Sequence, residues 1–519
     1  MHLYTWSWIF LVAYIGAMFT FGYIASQRVK DADDFATARG GYGPLLLSLA
    51  FASTAASGAT FLGVPGLMYT YGTSMMWLAF LYPVGVYLGV LICQASVGRY
   101  GNLSGSRSIP EYLGERYQSE ALRISAAILS LLLLFYLAGQ LVAGLVMFEM
   151  MLGLSKGVAL TITAVVLLGY VTLGGAHADI ITDGAQGFLM VVLAVAVAVL
   201  FFTGFGVGGF DNLLASLRAQ NPELVGNLNS ASPLTASAWS FIAVAIAHIP
   251  LGLLPHIGNK LWALKDQKMR VRFLCLAFIF GMLLPMISLG GLTARAFLGD
   301  DLLGDGANTA LPAIFLQLFP AWLAALLGVG VLAAIMSTAD GLLISTSQVF
   351  ANDIYRRSIA PRMQADLSSS ELDKNVLRIS RVVTVLTLLG SIALGWSIMH
   401  LNITLLIWAG VGGFTAALMG PLVFGSLWSG LTPAAALTGF WGGAISFTLI
   451  HSKVVTAQWL YGTSLDSFAR WFDYYSSSPY SSASIGGAIS ILLCIVVSKV
   501  TSPITQEHLD LIQQEPSAG

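Results

Sequence analysis

Apolar segments of about 18 or more residues recur along the whole chain, separated by short polar stretches. A helix of about 20 apolar residues crosses the ~30 Å hydrocarbon core of a bilayer. Only 9% of the 519 residues are charged, whereas an ordinary soluble chain has roughly 25%. The pattern therefore predicts an all-α integral membrane protein.

Thirteen membrane spans are predicted from these segments. They cover residues 7–26, 43–70, 75–98, 123–151, 157–174, 182–205, 236–256, 273–297, 321–351, 379–398, 402–428, 432–451 and 482–500. The longer polar segments are 99–122, 206–235, 355–378 and 452–481, and each is too short for a soluble domain. The prediction is a bundle of helices joined by loops.

Positive charges are divided unevenly between the two faces of this bundle. Lys and Arg are retained on the cytoplasmic side of short loops. When alternate loops are assigned to opposite faces, most of the 24 basic residues fall on one face, beginning with Arg28 and Lys30. No basic residue precedes the first span, which is therefore predicted to be an uncleaved helix. We expect an external N-terminus and a cytoplasmic C-terminus in the plasma (inner) membrane.

Several classes of function lack support in the sequence. It contains no Rossmann, Walker or zinc-binding spacing, so we expect no organic cofactor and no enzymatic activity. The net charge is −1 and no basic cluster occurs, so we expect no nucleic-acid partner. A membrane sensor would need an output domain, and only residues 501–519 follow the last predicted span.

Glycine and proline interrupt two of the predicted spans. The second span contains LAFASTAASGATFLGVPG (49–66), and the seventh contains AHIPLGLLPHIGN (247–259). A broken helix leaves backbone groups unpaired, which is tolerated only where protein, a cavity, a substrate or an ion satisfies them. Two broken spans that lie five apart are typical of transporters built from inverted five-helix repeats. The alternative is a simple kink, since Gly and Pro are common in membrane helices.

A hydroxyl pair lies within the apolar stretch AAIMSTADGLL (333–343). Ser337 and Thr338 are adjacent, and the carbonyl of Ala334 lies one helical turn before them. Carbonyl and hydroxyl oxygens could hold a sodium ion without burying a negative charge. The alternative is that both hydroxyls bond their own helix or a neighbouring one.

Motifs along the chain carry a family resemblance. They are SGATFLGVPG (57–66), YLAGQLVAG (136–144), TLGG followed by TDGAQG (172–187), LPHIGNKLWALKD (254–266), AAIMSTADGLLISTS (333–347), NDIYRR (352–357) and WAGVGGFTAALMGPLVFGSLWS (408–429). The sequence resembles the solute:sodium symporter family, which includes sodium/proline, sodium/pantothenate, sodium/acetate and sodium/sugar symporters. One departure is Ala176, where a bulkier apolar residue is usual.

The resemblance implies a LeuT-type 5+5 inverted-repeat bundle that works as a monomer by alternating access. The implied parts are residues 1–42, an extra N-terminal helix and cytoplasmic loop; 43–205, the first five-helix repeat; 206–235, an external loop; 236–428, the second repeat; and 429–519, two extra helices and a short cytoplasmic tail.

The resemblance also implies a sodium site, with Na⁺ as the only metal ion. The family's cation site combines two carbonyls of the first core helix with a carbonyl and two hydroxyls of the eighth. In this sequence the matching residues are Ser53, Ala56, Ala334, Ser337 and Thr338.

Two aspartates carry a further ion hypothesis. Asp340 lies three residues after Ser337, on nearly the same helical face, and an ionisable group at such depth is a functional hypothesis by default. Asp183 resembles a family aspartate at the cytoplasmic end of the fifth core helix, beside a second cation or on the sodium release path. Three roles stay open for Asp340: ligand of a second cation, proton-exchanging group, or structural hydrogen-bonding group.

Substrate-binding candidates surround the two breaks. They are Ser57, Gly58, Thr60, Tyr136, Gln140, His248 and Trp408. No Lys or Arg lies deep in a predicted span, so a substrate carboxylate would meet helix N-termini and backbone amides. Tyr136 is similar to a tyrosine near the substrate of sodium/proline members, whereas Ala59 replaces their tryptophan. For His248 and Trp408 the alternative is helix packing.

Taken together, these features predict a sodium-coupled symporter. The expected solute is an organic anion or monocarboxylate, a pantothenate-like compound or an amino acid. Proton coupling on the same fold and a transporter-like sensor are the alternatives.

Overall fold

The computed structural model describes residues 2–364 and 367–513, with only the backbone described at residues 32, 167–174, 267, 305, 369 and 513. Within these ranges the chain forms 24 α-helices and several 3₁₀ and π-helical segments. The side chains of the TLGG motif before Gly175 and the predicted tail after residue 513 lie outside the described residues.

The helices run as follows. They are α1 (Leu3–Ser26), α2 (Ala32–Thr37), α3 (Pro44–Ala55), α4 (Val64–Tyr71), α5 (Met76–Leu103), α6 (Ile109–Arg116), α7 (Glu120–Leu129), α8 (Leu133–Leu152), α9 (Lys156–Thr203), α10 (Phe210–Gln220), α11 (Ala238–His248), α12 (Pro255–Gly258), α13 (Arg270–Leu283), α14 (Leu289–Leu298), α15 (Ala310–Leu318), α16 (Ala321–Gln348), α17 (Ala360–Met363), α18 (Ser369–Ile398), α19 (Ile403–Leu418), α20 (Gly425–Leu427), α21 (Pro433–His451), α22 (Asp466–Tyr475), α23 (Pro479–Ser498) and α24 (Gln506–Gln513). The π-helical segments are Ala59–Gly63, Val349–Ile359 and Met419–Phe424.

Ten helical segments of the described chain are long and apolar enough to cross a membrane, or eleven if one bent pair counts as a single span. These segments do not confirm the predicted count of thirteen. Two predicted spans contribute only shorter apolar helices, Pro44–Ala55 and Lys156–Val166. The first is short because its span is interrupted, and the second is the described part of a helix that bends at Gly175.

The predicted break in the second span is confirmed. Helix α3 ends at Ala55, and Ala56 has non-helical dihedrals of φ −92° and ψ 81°. The chain resumes as the π-helical segment Ala59–Gly63 and continues into α4. Pro65 lies in the first turn of α4, where a missing N–H is tolerated, so the helix is not broken by proline.

The predicted break in the seventh span is also confirmed. Helix α11 ends at His248, Leu254 is non-helical with ψ 147°, and Pro255 begins α12. The two halves are bent by 57°. The inner half continues as the 3₁₀ segment Asn259–Ala263, further than the predicted end of the span at residue 256.

Helix α16 occupies the centre of the bundle, and nearly all its residues after Leu327 are buried. It packs against α1, α3, α8, α9 and α12, while α3 also packs against α9. The hydroxyl pair of α16 therefore faces the broken end of α3, with the second half of α9 alongside. Large apolar side chains of α18, such as Val382 and Leu386, are exposed, which suits contact with lipid.

Candidate functional site

The hydroxyl pair of α16 meets backbone carbonyls at the end of α3. The Ser337 hydroxyl donates to the carbonyl oxygens of Ser53 and Ala334, both at 3.2 Å. The Thr338 hydroxyl donates to the carbonyl oxygens of Thr54 at 3.0 Å and Ala334 at 3.4 Å. All five residues are buried. We call these three carbonyl and two hydroxyl oxygens the oxygen cluster.

The break in α3 makes these carbonyls available. In a regular helix the carbonyl of Thr54 would accept from the N–H of Gly58. Here that N–H donates instead to the side-chain oxygen of Gln140 at 2.9 Å, and the helical ladder of α3 ends with the N–H of Ala56 on Ala52. The Thr54 carbonyl is therefore free to accept from Thr338 across the helix interface.

Four of the five predicted sodium ligands come together in the oxygen cluster. Ala56, the fifth, lies in the break itself, two residues after Thr54. The carbonyl of Thr54 was missed, since the sequence cannot show which carbonyl of a broken helix points towards a neighbour. The cluster carries no net charge and presents only hard oxygens, the ligand type that suits Na⁺.

A charged cluster adjoins the oxygen cluster. The carboxylate Oδ2 of Asp183 accepts from the hydroxyl of Thr54 at 2.6 Å and lies 2.8 Å from Lys260 Nζ. The same ammonium contacts the carboxylate of Asp179. We call Asp179, Asp183 and Lys260 the charged cluster, and all three side chains are more than nine-tenths buried.

Lys260 corrects one expectation from the sequence. No Lys or Arg was expected deep within a span, and Lys260 follows the predicted end of the seventh span at residue 256. The inner half of the broken seventh span continues through Asn259–Ala263 and carries Lys260 into the bundle, where it is 3% exposed. The hydropathy pattern missed it because a short, polar 3₁₀ segment does not resemble a membrane helix.

Asp340 lies one turn beyond Ser337 on the same unbroken helix and is buried. Its predicted position next to the hydroxyl pair agrees with the helical register of α16. The three hypotheses for its role predict different effects of its replacement on the sodium count and on the pH dependence of transport.

A cavity of about 400 Å³ lies beside the two helix breaks. Five of the seven predicted substrate residues line it, namely Ser57, Thr60, Tyr136, His248 and Trp408. Among the described residues, its lining includes no charged side chain. Hydroxyl groups, aromatic rings and apolar side chains therefore share its wall.

Gly58 and Gln140 are buried but do not line this cavity. Besides their mutual hydrogen bond, they are tightly packed, because a Cβ on Gly58 would lie 2.8 Å from the Ala143 side chain. The structure places both residues in support of the break. A direct contact of either with solute stays a prediction.

Aromatic side chains that the sequence analysis did not single out complete the cavity wall. Tyr82 and Tyr480 line it, and the ring of His248 lies 5.5 Å from each of theirs and 4.5 Å from that of Trp408. Nδ1 of His248 donates to the carbonyl of Val244 at 2.7 Å, so the neutral ring carries a lone pair on Nε2. Tyr480 belongs to α23, and only its packing against α11 and α19 reveals its place.

Solved structures share this architecture. A Na⁺-coupled sialic acid symporter, captured substrate-bound and outward-open, superposes with a TM-score of 0.73 at 18% identity and covers 96% of this chain and 99% of its own. A nucleobase-cation-symport-1 family transporter in a closed conformation gives a TM-score of 0.54 at 14% identity, covering 92% and 97%. The fold is therefore the LeuT-type helical bundle that the sequence predicts.

Relatives are similar over nearly the whole chain. A sodium/proline symporter of Salmonella typhimurium is 26% identical over 513 residues, which cover 95% of this chain and 94% of that protein. One from Escherichia coli is 26% identical over 451 residues, covering 83% and 85%. An uncharacterised symporter of Bacillus subtilis is 24% identical over 451 residues, covering 86% of each.

The sequence model of the sodium:solute symporter family matches residues 35–443, which include both broken helices, both polar clusters and most of the cavity wall. The order of motifs along the chain, the broken helices and the family match agree, and this chain belongs to the sodium:solute symporter family.

Proposed function

We propose that this protein imports a small organic solute together with sodium, with an amino acid or a monocarboxylate as the first candidates. Its family makes it a multi-pass membrane transporter and not an enzyme. The single observation that carries the proposed ion site is the oxygen cluster, in which uncharged oxygens of two different helices meet.

The oxygen cluster could couple ion binding to conformation. Sodium would draw its ligands from α3, through Ser53 and Thr54, and from α16, through Ser337 and Thr338. A ligand stabilises the conformation that binds it better. Sodium would therefore stabilise the arrangement in which the two helices are close, and their separation would release the ion.

The cavity supports a small solute with both polar and apolar surface. Its wall offers hydroxyls, including those of Ser57 and Thr60, beside the aromatic rings around His248. Since the described lining has no Lys or Arg side chain, a substrate carboxylate would be met by backbone amides near the break and by the neighbouring sodium ion. The names of the sodium/proline relatives favour an amino acid, whereas Ala59 in place of tryptophan argues against a close copy of their site.

The arrangement in the membrane is part of this proposal. Residues 43–205 and 236–428 form the two repeats, which rock around the cavity, and a single copy suffices for transport. The distribution of Lys and Arg supports an external N-terminus and a cytoplasmic C-terminus in the plasma membrane.

Counterflow in proteoliposomes tests the function. Proteoliposomes that contain the purified protein are loaded with unlabelled amino acids or monocarboxylates, and the entry of the labelled compound is measured. The measurement is made with an inward sodium gradient, with choline in place of sodium, and with a proton gradient alone. We expect counterflow for one chemical class and uptake that requires sodium. Uptake that a proton gradient drives without sodium would contradict sodium coupling and favour the proton-coupled alternative.

A further inference from the structure

The charged cluster has an arrangement that sodium transport through the oxygen cluster does not require. The carboxylates of Asp179 and Asp183 lie one helical turn apart on α9. They share the ammonium of Lys260, which belongs to the inner half of the broken seventh span. Lys260 is 3% exposed, Asp183 is fully buried and Asp179 is 7% exposed. An uncompensated carboxylate at such a position is strongly unfavourable, so the ammonium stabilises the ionised form of the carboxylates that it contacts.

The carboxylates still have unused acceptor capacity. Oδ1 of Asp179 and Oδ1 of Asp183 are both buried and have no hydrogen-bond partner among the residues that the structure describes. Carboxylate oxygens that accept no other hydrogen bond are typical surroundings of a bound cation. In this protein that cation is the ammonium of Lys260.

The charged cluster is joined to the oxygen cluster through two residues of α3. The hydroxyl of Thr54 donates to the Asp183 carboxylate at 2.6 Å, and the hydroxyl of Ser53 donates to the Asp183 backbone carbonyl at 3.0 Å. The backbone carbonyls of the same two residues accept from Thr338 and Ser337. A charge beside Asp183 therefore lies one residue away from the proposed sodium ligands.

We propose that the Lys260 ammonium is a tethered cation that takes the place of a second coupling ion beside Asp183, so that the carrier binds one sodium ion. The inference rests on the proposed sodium coupling. An ammonium attached to the same chain is present at a high effective concentration and donates directed hydrogen bonds to the carboxylates. Free sodium would have to displace it, and both charges cannot occupy the cluster together.

Removing the ammonium should therefore create a sodium site. In Lys260→Gln the Asp183 carboxylate keeps its hydrogen bond from the Thr54 hydroxyl, but both carboxylates lose their counter-ion. A bound sodium ion would restore the positive charge. In Lys260→Arg the cation is retained, so no second sodium is expected. Lys265→Gln makes the same substitution five residues further on at an exposed position and is the matched control.

Equilibrium binding of radioactive sodium to the purified full-length protein, without solute, tests the proposal. We expect one ion per chain for the wild type, Lys260→Arg and Lys265→Gln, and two for Lys260→Gln. One ion bound by Lys260→Gln with wild-type affinity overturns the proposal, as do two ions bound by the wild type. A wild type that binds no sodium would instead refute the proposed function.

A second variant keeps the test valid if Lys260→Gln does not fold. Asp179→Asn combined with Lys260→Gln leaves one carboxylate and so preserves the net charge of the charged cluster. We expect it to fold, to bind two sodium ions, and to show a melting temperature that rises more steeply with sodium than that of the wild type, but not with potassium or choline. A single bound ion and a wild-type sodium dependence of melting would overturn the proposal.

Discussion

The oxygen cluster and the charged cluster lie side by side, and both depend on a broken helix, yet they differ in chemistry. At the first break the helix end contributes bare carbonyls, which hydroxyls of α16 approach without any net charge. At the second break the inner half contributes Lys260, which neutralises carboxylates of α9. One cluster is proposed to admit a cation from outside, whereas the other already contains the Lys260 ammonium.

Under this proposal, the difference between the two clusters would set how many ions the transporter couples. Breaking a helix in a membrane creates unsatisfied backbone groups, and the residues that satisfy them decide whether the site is exchangeable or permanent. The hydrogen bonds from hydroxyls to these carbonyls are weak, so a bound ion could take their place and be held by both kinds of oxygen. A buried ion pair is much harder to open, because each separated charge would be left desolvated. The comparison can be tested by disturbing each cluster separately.

The largest effect is expected from the oxygen cluster itself. Ser337→Ala combined with Thr338→Ala removes both hydroxyl ligands, each worth about 1.5 kcal/mol or more towards a charged partner. The two losses together, about 3 kcal/mol, should raise the sodium concentration for half-maximal uptake about a hundredfold, since 1.4 kcal/mol corresponds to a factor of about ten. Sodium dependence of uptake in proteoliposomes is the measurement.

The matched control for that variant is Ser397→Ala. Ser397 is an exposed serine of α18 whose hydroxyl donates to Ala393 of its own helix at 2.9 Å, far from either cluster in the chain. It should keep the wild-type sodium dependence. If the double variant behaves like this control, the oxygen cluster is not the sodium site.

Next in size is the effect of Tyr136→Ala, which opens the cavity wall without touching the oxygen cluster. Tyr136 lines the cavity, and its ring lies edge-on to that of His256 at 5.2 Å. The solute concentration for half-maximal uptake should rise about tenfold, a loss of roughly 1.4 kcal/mol. Sodium binding measured without solute should change much less.

Tyr136→Phe separates contact from packing, because it keeps the ring against His256 and removes only the hydroxyl. It should lie between the wild type and Tyr136→Ala in solute affinity. An equal loss of solute and sodium affinity in Tyr136→Ala would indicate that the residue supports the fold and does not contact the solute.

A smaller effect is expected at the junction between the two clusters. Thr54→Val retains the shape and the backbone carbonyl that Thr338 uses, but removes the hydroxyl that donates to Asp183. Loss of a hydrogen bond to a charged group costs about 1.5–3 kcal/mol of stability. Part of this should appear in ion binding, as a roughly fivefold loss of sodium affinity.

Thr163→Val is the control for the junction. Thr163 is a buried threonine of α9 whose hydroxyl donates to Ala159 within its own helix at 2.9 Å. Its replacement should change stability but leave sodium affinity as it is. Equal sodium affinities in the two valine variants would show that the clusters work independently.

The sequence revealed the parts of this site whose chemistry is local. Adjacent hydroxyls within an apolar stretch identified Ser337 and Thr338, and glycine and proline marked the two spans that are broken. Residues that depend on how distant segments pack were missed. Lys260 enters the bundle only because a 3₁₀ segment extends the seventh span, and Tyr480 reaches the cavity from a helix close to the C-terminus. The count of thirteen spans is not confirmed, because an interrupted span does not form one long apolar helix in the described part of the chain.

The smallest effect on sodium coupling is expected at Asp340, because the role proposed for Lys260 predicts no change there. If Lys260 already supplies the second positive charge, the number of sodium ions moved per solute should stay at its wild-type value in Asp340→Asn. A proton-exchanging Asp340 would leave that number intact but flatten the pH dependence of uptake. A structural hydrogen-bonding group would leave both unchanged, because asparagine is nearly isosteric with aspartate. Reversal potentials in proteoliposomes, measured for both proteins across a series of pH values, give the ratio directly. A lower sodium count in Asp340→Asn would make Asp340 a ligand of a second sodium ion and would contradict the role proposed for Lys260.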